Sequence, residues 1–147
     1  MRIARAITSD AHEWVAMRTA LWPSGGGGAH AAEIAALLGD AGATINLIAR
    51  DNEMALGFAE ASLRHDYVNG CKTSPVAFLE SIYVVPEARG RGVARALVAA
   101  VENWAQEQGC KEFASDAPVG NVASFDMHQA LGFVETQRVV FFRKVLS

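Results

Sequence analysis

The stretch Val84-Val85-Pro86-Glu87-Ala88-Arg89-Gly90-Arg91-Gly92-Val93-Ala94 constrains the fold more than any other part of the chain. Before it, Val76 to Val84 reads as a strand; after it, Val93, Leu97, Val101 and Trp104 recur at three- and four-residue steps and predict a helix that stops at Gly109. Gly90 and Gly92 lack Cβ atoms, so the backbone between the two elements can turn tightly and point several N–H groups at a ligand from the start of the helix. Arg89 and Arg91 add positive charge beside it. This is the layout of a pyrophosphate cradle. It is neither a P-loop, since Gly92-Val93-Ala94 stands where Gly-Lys-Ser/Thr is needed, nor a dinucleotide fingerprint, since Arg95 stands where a third small residue is needed.

Around this centre the periodicity predicts a mixed α/β chain. Arg2 to Ile7 reads as a strand, and Asp10-Ala11-His12-Glu13 as a capping box opening a helix that ends at Trp22-Pro23. Ser24 to Gly28 reads as a mobile loop, Ala29 to Leu38 as a second helix, and Thr44 to Arg50 with Met54 to His65 as a hairpin turning at Asp51-Asn52. A short strand at Glu112 to Asp116, a helix at Asn121 to Leu131 and one or two closing strands between Phe133 and Val145 complete the order β-α-α-β-β-β-α-β-α-β-β. The expected fold is therefore a central, partly parallel sheet flanked by helices, with residues 1–147 forming one domain.

Lysine and arginine number 13 against 16 acidic residues, a formal charge of −3 that excludes a general nucleic-acid binder and favours a cationic ligand. The N-terminus lacks the apolar run of a signal peptide, and no segment has the apolar length of a membrane span, so a soluble cytoplasmic protein is expected. Cys71 and Cys110 form no disulfide framework or metal-like spacing with the histidines, and no metal is expected.

Arg89-Gly90-Arg91-Gly92-Val93-Ala94 resembles the Arg/Gln-x-x-Gly-x-Gly/Ala signature of the GCN5-related N-acetyltransferases (GNAT), and the element order fits that family over nearly the full length. His65 to Gly70, Ser74 to Glu80, Phe113 to Asp116 and Ala130 to Thr136 narrow the resemblance to the bacterial aminoglycoside 6'-N-acetyltransferases. That resemblance implies acetyl-coenzyme A as co-substrate, direct transfer to an amine, and no metal. It also implies that Ile82, Tyr83 and Val84 pair with the pantetheine arm, that Arg89, Gly90, Arg91, Gly92, Val93 and Ala94 hold the pyrophosphate, and that Asn121 touches the arm, although a helix N-cap accounts for Asn121 equally well.

Amine acetylation also needs a group that takes the amine proton and one that protonates the departing thiolate. Regular alternation puts Glu80 on one strand face with Val76, Phe78, Ile82 and Val84, where a carboxylate is tolerable only if the strand bulges or a cation meets it. Glu80 and Asp116, the latter at a strand's carboxyl end, are the acidic candidates; the alternatives are a surface carboxylate and a turn cap. Trp22 and Tyr67 are candidates to stack on a sugar ring, Trp22 mainly by the resemblance.

Three positions depart from the pattern. His128 replaces the wider family's proton-donating tyrosine, Gly25 stands where a histidine can occur, and Gln137, a further substrate-binding position, stands where a glutamate can occur. The functional expectation is acetyl transfer to the 6'-amine of aminoglycosides. An acetyltransferase for another polyamine or a protein N-terminus, and a non-catalytic coenzyme A-binding protein, remain the alternatives. A homodimer through Phe141-Phe142 is expected because an apolar edge tends to be covered.

Overall fold

A computed structural model describes residues 1–40 and 42–147. Five strands form one sheet in sequence order: β1 (Arg2–Arg5), β2 (Thr44–Asp51), β3 (Met54–Arg64), β4 (Val76–Val84) and β5 (Phe113–Ser115). The first three pairings are antiparallel and β4–β5 is parallel. The helices are α1 (Ala11–Leu21), α2 (Gly27–Gly39), α3 (Val93–Glu107) and α4 (Val122–Ala130).

Helices cover both faces of the sheet centre, which is why β3 is buried without interruption from Ala55 to Ala61 rather than alternating. Ile45, Leu47 and Ala49 pack with Leu97, Val101 and Trp104 of α3, while Ile48 joins Trp14 and Met17 of α1 and Ile34 of α2 on the other side. The periodic stripe of α3 is buried as expected, with Leu97 and Val101 both 0% exposed.

Beneath α1 lies a buried polar knot. Arg18 Nε is 3.0 Å from Glu60 Oε2, which also accepts a 2.8 Å hydrogen bond from Trp14 Nε1, and Arg18 Nη1 reaches Glu33 of α2 at 2.7 Å. Burial pushes the Glu60 carboxyl up, against the pull of Arg18 and Trp14. Removing one member of such a pair strands a charge, so the knot fixes how α1 and α2 sit on the sheet.

Four expectations need correction. No capping hydrogen bond forms at Asp10: its carboxylate accepts from Ile7 N at 2.8 Å and, with Glu13, holds Arg50 at 2.6 Å, because an ion pair to β2 satisfies the charges better than the helix end does. The glycine run is not all loop. Pro23–Gly25 is a 3-10 turn, and Gly27 and Gly28 are the first turn of α2, drawn in by the alanine-rich segment behind them. The strand near the N-terminus ends at Arg5 rather than Ile7. The closing strands between Phe133 and Val145 do not form: the segment from Phe133 to Ser147 carries neither helix nor strand, and Phe141 and Phe142 are 86% and 91% exposed. A β-prone run becomes a strand only beside a partner, and no strand among the described residues pairs with it.

Candidate active site

The site grows from the place where β4 and β5 part. Their parallel register runs through Ala77↔Phe113, Phe78↔Ala114 and Leu79↔Ser115 and then stops, so the edge of β4 from Glu80 onward has no strand beside it. On its other side β4 stays paired to β3, but Glu60 faces Ser81 and Ala61 faces Leu79, which leaves Glu80 as the extra residue of a β-bulge. Both escapes from burial are realised there. The bulge turns Glu80 outward, and the Arg64 side chain lies along the strand, over the Phe78 ring at 3.5 Å, to hold the Glu80 carboxylate with contacts of 2.6 and 2.8 Å.

Asp116 follows Ser115 directly and is exposed. The two candidate carboxylates therefore leave neighbouring strands at the same level, one residue beyond the last paired couple Leu79↔Ser115. His128, near the end of α4, reaches this point too: its Nε2 is 2.7 Å from Ser115 Oγ. Sequence reading proposed Glu80, Asp116 and His128 separately; the structure brings all three to one end of β4–β5. Ser115 lies in the resemblance block Phe113 to Asp116 but was given no role of its own, because the sequence does not show the ring opposite it.

The cofactor candidates line the same opening. Ile82, Tyr83 and Val84 pair with Ala59, Phe58 and Gly57 through one edge only, leaving the other open to an added extended amide chain. From there the chain passes the 3-10 turn Pro86–Ala88 to Gly90 and Gly92, whose φ angles are +77° and +80°. At neither position would a Cβ meet an atom within 4 Å, so the space above both is free. Gly92 is the N-cap of α3, and the first backbone N–H groups of that helix, Val93 and Ala94 among them, have no intrahelical acceptor. Free N–H groups and the positive end of a helix attract negative charge. Arg89 folds back over Tyr83, 5.6 Å from its ring centroid, and donates from Nε to Val84 O at 2.9 Å.

Asn121 caps α4 by accepting from Ser124 N at 3.1 Å, the plain role foreseen for it, which leaves its amide NH2 for a ligand. Tyr67 is 74% exposed beyond the end of β3. Trp22 stands between α1 and α2, half open, stacked on His30 and beneath Arg18. Gly25 has a steric reason: a Cβ there would lie 2.9 Å from His30 Nε2. Gln137 lies in the exposed tail, next to the Glu135–Arg138 ion pair. Burial pushes the Cys71 and Cys110 thiols up, so neither is an activated nucleophile. Among the described residues no three His, Cys, Asp or Glu side chains converge as metal ligands, and no helix is long and apolar enough to cross a membrane.

Residues 11–133 match the Acetyltransferase (GNAT) family. The chain belongs to that family. As a GNAT enzyme it uses acetyl-coenzyme A. Among its relatives, the aminoglycoside N(6')-acetyltransferase type 1 of Serratia marcescens is 50% identical over 134 residues, covering 91% of this chain and 92% of that one. The structure of AAC(6')-Iy in complex with the bisubstrate analog CoA-S-monomethyl-acetylneamine is 46% identical, with a TM-score of 0.93 over 99% of this chain and 98% of that one. The 6'-N-acetyltransferase AAC(6')-IG from Acinetobacter haemolyticus is 43% identical, with a TM-score of 0.94 and full coverage of both chains.

Proposed function

We infer that this GNAT enzyme transfers acetyl from acetyl-coenzyme A to the 6'-amino group of aminoglycosides, and so confers resistance to them. The observation that carries the reading is the pairing of two outward carboxylates, Glu80 and Asp116, at the parting of β4 and β5, beside an edge with free backbone groups. A polycation needs the carboxylates, and an amide-rich arm needs the edge.

Acetyl-coenzyme A supplies the acyl group, activated as a thioester. Gly90 to Ala94 and the α3 N-terminus hold the pyrophosphate, with Arg89 and Arg91 adding charge; Ile82, Tyr83, Val84 and Asn121 align the arm along β4. Glu80 and Asp116 bind the acceptor's ammonium groups and draw off the proton of the reacting amine, directly or through water. Trp22, Tyr67 and Gln137 complete the acceptor pocket, and His128 serves the leaving-group side. Transfer is direct, without a covalent enzyme intermediate or a metal. Release of thiol from acetyl-coenzyme A is expected with kanamycin and tobramycin as acceptors. Release with neither, or with spermidine or an N-terminal peptide in preference, overturns the reading.

Residues 1–147 act as one catalytic domain in the cytoplasm, as a homodimer. The support for the dimer is the tail: Val140, Phe141, Phe142, Val145 and Leu146 are each at least 74% exposed, a set of large apolar residues that a second copy would cover. Light scattering should give twice the 15.7 kDa chain mass, falling to one chain in the Phe141→Asp/Phe142→Asp double variant. A parental protein of one-chain mass at micromolar concentration would rule the dimer out.

A further inference from the structure

We propose that Ser115 delivers the proton at the leaving-group side, with His128 acting through it as a positioning residue; the assignment rests on the acyl-transfer reading above. His128 Nδ1 lies 2.7 Å from the carbonyl oxygen of Ser124. A carbonyl can only accept, and the Ser124 hydroxyl stands farther from Nδ1, at 3.3 Å, so Nδ1 carries a proton and donates it to the carbonyl. In the neutral ring Nε2 then has a lone pair, and the only direction left for the 2.7 Å contact is from the Ser115 hydroxyl to Nε2. The edge of the ring packs against Phe133 at 5.1 Å between centroids, which holds its orientation.

His128 therefore presents no free N–H toward the parting of the strands. The group that stands there is the Ser115 oxygen, on the last residue of β5, with the carbonyl of Leu79 3.4 Å away across the final register pair. When Nε2 is protonated it becomes a donor to Ser115 Oγ, and the hydroxyl proton is released from the ring toward the opening. The step balances as follows: the Ser115 O–H bond breaks as S–H forms on the departing thiolate, and the His128 Nε2–H bond breaks as a new O–H forms on Ser115. The ring is left neutral. It is recharged from solvent, which has received the proton lost by the acceptor's ammonium.

This arrangement explains how a histidine can stand where a tyrosine would supply a hydroxyl: here the hydroxyl comes from a different element, and the imidazole directs it. Because a thiolate can also leave and take its proton from water, the loss of either group costs less than the full 10²–10⁴ of an essential general acid. Ser115→Ala is expected to lower kcat about tenfold with acetyl-coenzyme A affinity and aminoglycoside KM unchanged, Ser115→Thr to restore most of it, and His128→Ala to cost only a few-fold because the hydroxyl stays.

A second readout needs no turnover. Nitrogen-15 NMR of the ligand-free protein, at a pH where the ring is neutral, should show His128 as the Nδ1–H tautomer, with the Nε2 signal moving in Ser115→Ala to that of an imidazole nitrogen without a donor. Ring signals unchanged by Ser115→Ala, an Nε2–H tautomer in the parental protein, or parental kcat in Ser115→Ala would each overturn the assignment. So would a thousandfold loss in a folded His128→Ala, which would make the ring itself the acid. If no aminoglycoside is acetylated at all, the acceptor reading fails while the ring spectra still decide the Ser115–His128 pairing.

Discussion

Replacing Gly92 with valine is expected to weaken acetyl-coenzyme A binding by about 100-fold, the loss of one or two charge-assisted hydrogen bonds at about 1.5–3 kcal/mol each. Gly92 caps α3 at φ +80°, and the space above it is empty, so a branched side chain would fill the volume through which the pyrophosphate must approach the helix amides. The same φ makes the substitution costly to the fold as well. A left-handed conformation costs an L-residue about 1–2 kcal/mol, so some loss of stability accompanies the loss of affinity. Gly109 separates the two effects. It has φ +82° and an equally open Cβ position at the far end of α3, so Gly109→Val pays the strain without touching the cradle. Calorimetry should find acetyl-coenzyme A affinity reduced in Gly92→Val and parental in Gly109→Val. Equal affinity in the two folded variants would remove the pyrophosphate from this turn.

What could be read in advance divides along physical lines. The α3 stripe was legible because a 3.6-residue period determines which side chains share a face, and Val93, Leu97, Val101 and Trp104 are all buried. Glu80 was legible as a conflict: a carboxylate on an apolar face required a bulge or a cation, and the chain supplies both. Contacts between distant segments left no local trace. Arg18 finds Glu60 from 42 residues away, Arg64 finds Glu80 across a loop and a strand pairing, and Ser115 meets His128 only because α4 packs back against the end of β5. The tail failed for the opposite reason: its strand propensity is strong, but propensity cannot provide the neighbouring edge that makes a strand.

Glu80→Gln and Asp116→Asn are each expected to lower kcat/KM for kanamycin and tobramycin by at least about tenfold, or roughly 1.4 kcal/mol, and together by about 100-fold if the two act independently. The magnitude follows from charge. Two unit charges about 4 Å apart attract by about 4 kcal/mol at an intermediate effective dielectric, and desolvation returns part of that. For Glu80 the acceptor's ammonium must also displace Arg64, whose guanidinium already holds the carboxylate. That pair is open to solvent on both sides, so it is worth only about 0–1 kcal/mol, and a bound polycation can outcompete it. Arg64 thus keeps the bulged carboxylate aimed until an amine arrives, whereas Asp116 has no such ion pair among the described residues and should show the cleaner loss. Acetyl-coenzyme A affinity should be spared in both variants, because the cradle lies at the other end of the open β4 edge. Added salt should raise aminoglycoside KM more than it raises the dissociation constant of acetyl-coenzyme A. If both single variants acetylate the two antibiotics at the parental kcat/KM, the carboxylates do not hold the acceptor, and the polycation reading of this opening falls with them.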